Sequence, residues 1–168
     1  LGSKDFFFPL LERSGHQPQG LSDQDLVYLI TPDRFHNGDP SNDDVPGMRE
    51  RGVDRSEPYA RHGGDLQGIQ MGLDYIESLG ATALWLNPVL ENDMMRDSYH
   101  GYAITDHYRV DPRYGGDDAL RELATELHQR EMKHIMDIVY NHWGIEHYLH
   151  RQLPDSSMVH FNPDGRSE

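Results

Sequence analysis

The chain has 168 residues, 36% of them hydrophobic and 26% charged, which is enough for one domain with a real core and is not a disordered composition. The formal net charge of −14 argues against nucleic acid and anionic membrane as partners and suits a neutral substrate or a bound cation. Cysteine is absent, which excludes a disulfide framework, a thiol nucleophile and a thiolate metal site, and no run of about 18 apolar residues could insert into a membrane.

The chain opens on Leu1 rather than Met and shows no signal-peptide pattern, so it reads as a piece of a longer polypeptide. Residues 1–21 read as a linker or the tail of a preceding domain. Phe6-Phe7-Phe8-Pro9-Leu10 suits an edge strand, and Ser14 to Gly20 carries turn residues. Leu26 to Ile30 is a compact apolar run that predicts a first buried strand, stopped by Pro32.

From Thr31 to Gly64 the chain is polar and rich in Asp, Asn, Gly and Pro. A loop of that length in a compact domain is functional or disordered. Within it, Asn37-Gly38-Asp39-Pro40-Ser41-Asn42-Asp43-Asp44 offers carboxylates and amide carbonyls densely enough for a hard cation, which takes roughly six to eight oxygens. It is not an EF-hand: no Gly stands at the sixth loop position, and Met48 takes the place of the twelfth-position Glu. Taken alone, the stretch is better read as a string of Asx turns, in which Asn and Asp bond their own backbone.

Asp65 fits an N-cap or a first-turn acid of a first helix, with Leu66, Ile69, Leu73 and Ile76 on one face and Leu79-Gly80 as its stop. Ala81 to Leu86 predicts a second buried strand, closed by Asn87-Pro88. Val89 to Tyr114 is expected to be another long loop. Its Tyr99 and Tyr102 are packing residues or platforms for sugar C–H faces. Asp117-Asp118 start a second helix, with Leu120, Leu123, Ala124 and Leu127 on one face. The segment from Met132 to His142 then reads as one short strand, buried on both faces. It ends in Asp137, Asn141 and His142, polar groups that point into a site when they stand at the carboxyl end of a parallel strand. Strands and helices alternate as βαβαβ, and the long loops all follow strands. A (β/α) barrel has that asymmetry, and a wound sheet shares the alternation.

Five stretches, in order, carry a resemblance: Tyr28 to Phe35, Arg61 to Gly68, Leu79 to Val89, Tyr99 to Tyr102, and Asp137 to His142. Together they resemble the α-amylase superfamily of glycoside hydrolases, most closely its neopullulanase and cyclomaltodextrinase branch. The resemblance implies an α/β fold: a partial (β/α)8 TIM barrel holding the first three strands and two helices, with long βα loops. Residues 22–142 would form the first part of the catalytic barrel, and residues 143–168 the start of the excursion after the third strand.

The resemblance also implies roles. Asn37, Asp39, Asn42 and Asp43, the carbonyl of Gly63 and the carboxylate of Asp65 match a calcium site, which favours the cation reading of the first loop. Asn141 matches a residue that binds a second calcium in some relatives. Tyr102 matches the aromatic that stacks on the glucose unit at the cleavage point, and His142 the imidazole that hydrogen-bonds that sugar. His100 would help position Tyr102, and Asp137 would support the site without doing the chemistry.

A retaining glycosidase needs a nucleophile and a general acid about 5 to 5.5 Å apart. The family places these after the fourth and fifth strands, with a third acid after the seventh, so none is expected among these 168 residues. By this reading the chain is the amino-terminal portion of an α-glucan hydrolase acting on starch-derived oligosaccharides, pullulan or cyclodextrins. Alone it should be inactive, and its partners would be an α-glucan and the remainder of its own barrel. A periplasmic or otherwise exported location is in keeping with the family. A non-catalytic amylase-like protein that binds sugar or a partner is the alternative. A zinc hydrolase built on His142, Glu146, His147 and His150 is a third. An H-x-x-E-H helix needs two residues between the first His and the Glu, whereas three lie between His142 and Glu146, so these histidines read as exposed loop residues.

Overall fold

A computed structural model describes residues 20–152 of the chain. The connector expected over residues 1–21, apart from its last two residues, and the end of the expected excursion lie outside the described residues.

Strands β1 (Val27–Ile30) and β2 (Ala83–Leu86) and a later strand, β5 (Lys133–Met136), form one parallel sheet in the order β1-β2-β5. Val27, Ala83 and Lys133 stand in one row across it, and Ile30, Leu86 and Met136 in another. Helices α1 (Leu66–Met71) and α2 (Leu73–Ser78) connect β1 to β2, and α3 (Gly116–Gln129) leads into β5. The core lies between one sheet face and these helices. Ile30, Leu84 and Leu86 pack there with Leu66, Ile69, Leu73, Ile76, Leu123 and Leu127. The helical spacing of those leucines and isoleucines puts them on single faces, and burying those faces holds the helices in place.

The first helix is broken where the sequence suggests continuity. Gly72 separates α1 from α2, and a Cβ there would sit 2.6 Å from Cε1 and 2.8 Å from Cζ of Phe35. The Phe35 ring occupies the space a side chain would need. The second expected helix forms with Asp117 and Asp118 in its first turn, where the dipole favours acids, and Asp117 Oδ1 also accepts from Val110 N at 2.8 Å.

Two expectations for the sheet need correction. Its strands are not covered on both faces: Leu29 and Trp85, paired side by side, are 58% and 40% exposed, and every residue of β5 is only half-buried. Closure of a barrel would turn that face inward, and three strands cannot close. The third strand is also shorter than its apolar run. It ends at Met136, and Tyr140 is exposed, because the outer edge of β5 has no partner strand among the described residues.

The segment expected as a plain loop after β2 contains a small antiparallel pair, β3 (Leu90–Glu91) and β4 (Asp106–Val110). Beneath it, Arg113 forks onto Asp111 at 2.7 and 2.9 Å and donates to the carbonyls of Asn92 and Glu50. Burial raises the Asp111 carboxyl, but its bonds to Arg113 more than offset that and hold it below the ordinary range. Among the described residues no helix is long and apolar enough to cross a membrane.

Candidate substrate and cation site

The loops after β1, β2 and β5 all leave the carboxyl edge of the parallel sheet, where α/β folds bind ligands. Tyr102 reaches across this edge: its hydroxyl donates to Asp137 Oδ2 at 3.1 Å, joining residues 35 apart in sequence. Burial, and then the hydrogen bond to Asp137, raise the Tyr102 phenol above its ordinary value. The residue is 39% exposed.

Tyr102 is held from below. Its backbone N–H donates to Nδ1 of His100 at 2.9 Å, and the two rings stack with centroids 6.0 Å apart. The turn before it is anchored through Tyr99. That ring lies under the Arg34 guanidinium at 3.8 Å, and its carbonyl accepts the Tyr114 hydroxyl at 2.9 Å. His142 closes the group, with Nε2 3.1 Å from the Tyr102 carbonyl oxygen. A carbonyl only accepts, so Nε2 carries the proton. Nδ1 is then free to accept from the Asn141 amide, 3.3 Å away. The structure thus gathers Tyr102, His100, Asp137, Asn141 and His142 in one place. The His142 imidazole bonds the backbone of Tyr102 while the residue itself stays exposed.

The first loop folds around Asp65. Its Oδ1 accepts from Gly38 N at 3.1 Å and Gly68 N at 2.6 Å; its Oδ2 accepts from Asp39 N at 2.8 Å and Asn42 Nδ2 at 3.1 Å. This carboxylate is fully buried and caps α1 while gathering the loop. Asp39 turns to its own neighbour and accepts from Ser41 N and Oγ, an Asx-type turn. Those two bonds lower the Asp39 carboxyl, the Ser41 hydroxyl contributing most. Asn37 donates through Nδ2 to both oxygens of Asp43, at 2.7 and 3.0 Å, and Gly63, at φ 84°, lies against the same two side chains. The amide oxygens of Asn37 and Asn42 are buried without a hydrogen-bond partner. Buried unpartnered acceptors beside a carboxylate are what an oxygen-ligated cation requires, so the donor set fits calcium.

Sequence reasoning assigned no role to Asp33, which is buried on the same edge. It accepts from His62 N and Gly63 N, pairs with Arg34, and faces Arg61 at 3.7 Å. The only signal was its position one residue after Pro32 at a strand end. His147 was expected to be exposed and is buried, stacked against Trp143 and Tyr148. Glu146 is paired with Arg49 at 2.8 Å. No three His, Asp or Glu side chains converge as a metal site among the described residues, which leaves the zinc arrangement without support.

Parallel strands with intervening helices, long loops at one edge and an aromatic–imidazole–carboxylate group there define a segment of a barrel-type α/β protein with a candidate ligand site. A family model for the α-amylase catalytic domain matches residues 29–162, and the chain belongs to that family. It is 37% identical over 153 residues to a cyclomaltodextrinase of Thermoanaerobacter pseudethanolicus, covering 91% of this chain and 24% of that protein. It is 39% identical over 129 residues to neopullulanase 2 of Thermoactinomyces vulgaris, covering 76% and 21%. Among solved structures, an Anoxybacillus α-amylase superposes with a TM-score of 0.73 at 42% identity, covering 82% of this chain and 28% of that one. The chain therefore spans about a quarter or less of the length of these curated relatives.

Proposed function

We propose that this chain is the amino-terminal portion of a retaining α-glucan hydrolase, of cyclomaltodextrinase, neopullulanase or α-amylase type, cleaving α-glucosidic bonds of starch-derived oligosaccharides, pullulan or cyclodextrins. The observation that carries the reading is the Tyr102–Asp137–His142 group at the carboxyl edge of the sheet. An exposed ring backed by a carboxylate and an imidazole suits a sugar: the ring packs on C–H faces while polar neighbours meet hydroxyls. The names of the relatives point to the same substrates. The nucleophile and general acid would come from later strands of the same barrel.

In the same reading calcium ties the first loop to the sheet edge. The Asn37 and Asn42 amide oxygens, the Asp43 carboxylate and the Gly63 carbonyl would hold it, with Asp65 organising the loop and Asp39 at its rim. Bound there, the cation would neutralise Asp43 and fix the loop; it would take no part in bond cleavage.

The test is reducing-sugar release from β-cyclodextrin and pullulan by the full-length polypeptide, wild type against Tyr102→Ala and Tyr102→Phe. The alanine variant should raise KM at least about tenfold, equivalent to ~1.4 kcal/mol, while phenylalanine, which keeps the ring, should stay within about threefold. Glucan binding without any turnover would instead establish the non-catalytic alternative. Neither binding nor turnover would refute both.

A further inference from the structure

We propose that His107 and His147 form a hydrogen-bond latch that exists only when both rings are neutral, tying the segment from Val139 to Leu149 onto β4 and releasing it on acidification.

The tautomers follow from the two ends of the chain of contacts. At one end, Leu149 N donates to His147 Nδ1 at 3.1 Å, so that nitrogen carries no proton. The proton of neutral His147 is then on Nε2, which lies 3.2 Å from His107 Nδ1. At the other end, His107 Nε2 lies 3.3 Å from the Val139 carbonyl oxygen, which can only accept. Nε2 of His107 therefore carries its proton and Nδ1 is free to accept. The two ends, fixed independently, agree on one direction of donation: Leu149 to His147, His147 to His107, His107 to Val139.

No second proton fits. On His147 it would go to Nδ1 and meet the Leu149 N–H. On His107 it would go to Nδ1 and meet the His147 N–H. Either makes a donor–donor contact where a hydrogen bond stood, in a site where His147 is 2% exposed. Trp143 and Tyr148 stack on the His147 ring with centroids at 5.1 and 4.6 Å, and such ring faces attract a cation. Asp106 on β4 also favours the charged ring. Burial first, and then repulsion from His107, outweigh it and lower the His147 value. The latch is independent of the proposed activity, but Val139 lies between Asp137 and His142, so its release would reach that loop.

Amide exchange in the full-length polypeptide tests this. After correction for intrinsic chemistry, the peptide spanning residues 139–150 should exchange about tenfold faster near pH 5 than near pH 7.5, while α3 stays protected. In the double variant His107→Gln/His147→Asn, whose amides can accept and donate but take no proton, exchange should be equal at both pH values. Equal protection of the wild type at both, or the same acid-induced opening in the double variant, would overturn the proposal. Nitrogen chemical shifts of the wild-type imidazoles give a test that needs no variant: both rings must be the Nε2–H tautomer at neutral pH, and an Nδ1–H ring in either position refutes the latch.

Discussion

Asp65 uses its two oxygens on four N–H groups, about the full lone-pair capacity of a carboxylate. Its role is to hold the first loop closed over α1, and losing it strands buried donors. Asp65→Ala should destabilise the protein by about 3 kcal/mol, read as a lower urea midpoint at unchanged m-value. Asn37 is different: its Oδ1 is buried without a partner, so the protein gains when something binds there. Calcium should raise Tm in the wild type and chelator should reverse it, whereas Asn37→Ala should lose most of the calcium-dependent shift. The alternation of Asn and Asp marked this loop in the sequence. Which oxygens are free was not legible there, because Asp65 is claimed in part by Gly38, Asp39 and Asn42, 23 to 27 residues away.

At the scale of elements, the break at Gly72 shows packing overriding pattern. The apolar period runs unbroken from Leu66 to Ile76, so the sequence reads as one helix. The Phe35 ring, delivered by the first loop, takes the position that a side chain at residue 72 would fill. Gly72→Ala should therefore cost about 1–3 kcal/mol despite alanine's better helix propensity. In a Phe35→Ala background the same change should become neutral or favourable, a coupling that a double-mutant cycle on urea midpoints measures directly. The β3–β4 pair was missed for a related reason. Two residues of β3 are too few to show an alternating pattern, and the Asn92 that follows them is held by Asp111 and Arg113, 19 and 21 residues later.

For the whole molecule, the parallel sheet is finished on one face and bare on the other. The Leu29–Trp85 row is apolar and exposed, consistent with a barrel whose remaining strands are not among the described residues. The core face carries its own pH dependence. His134 stands in the row of Tyr28 and Leu84 with a buried, unpartnered Nε2, and burial first, then His128, lower its value from the ordinary 6.5. The unfolded chain takes up that proton at higher pH than the folded one. Stability is therefore complete above about 6.5 and falls as the pH drops through the folded-state value, with His147 acting in the same sense. Urea midpoints should decline between about pH 7 and pH 5, and His134→Leu should flatten part of that decline.

The sequence by itself determined whatever depends on near neighbours: the apolar runs of the three parallel strands, the helix faces, the Asp65 cap, and the ordered motifs that mark the family. It also put Tyr102 on a loop after a strand, and Asp137 and His142 at the carboxyl end of another. Only the tertiary structure decided that Tyr102 donates to Asp137, that His142 turns onto the Tyr102 backbone, that Asp65 is saturated while Asn37 and Asn42 are not, and that His147 is buried against His107. The physical reason is one of range. Helix and strand preferences are sums over adjacent residues, whereas the satisfaction of a buried donor or acceptor depends on every group that folding brings within about 3 Å of it.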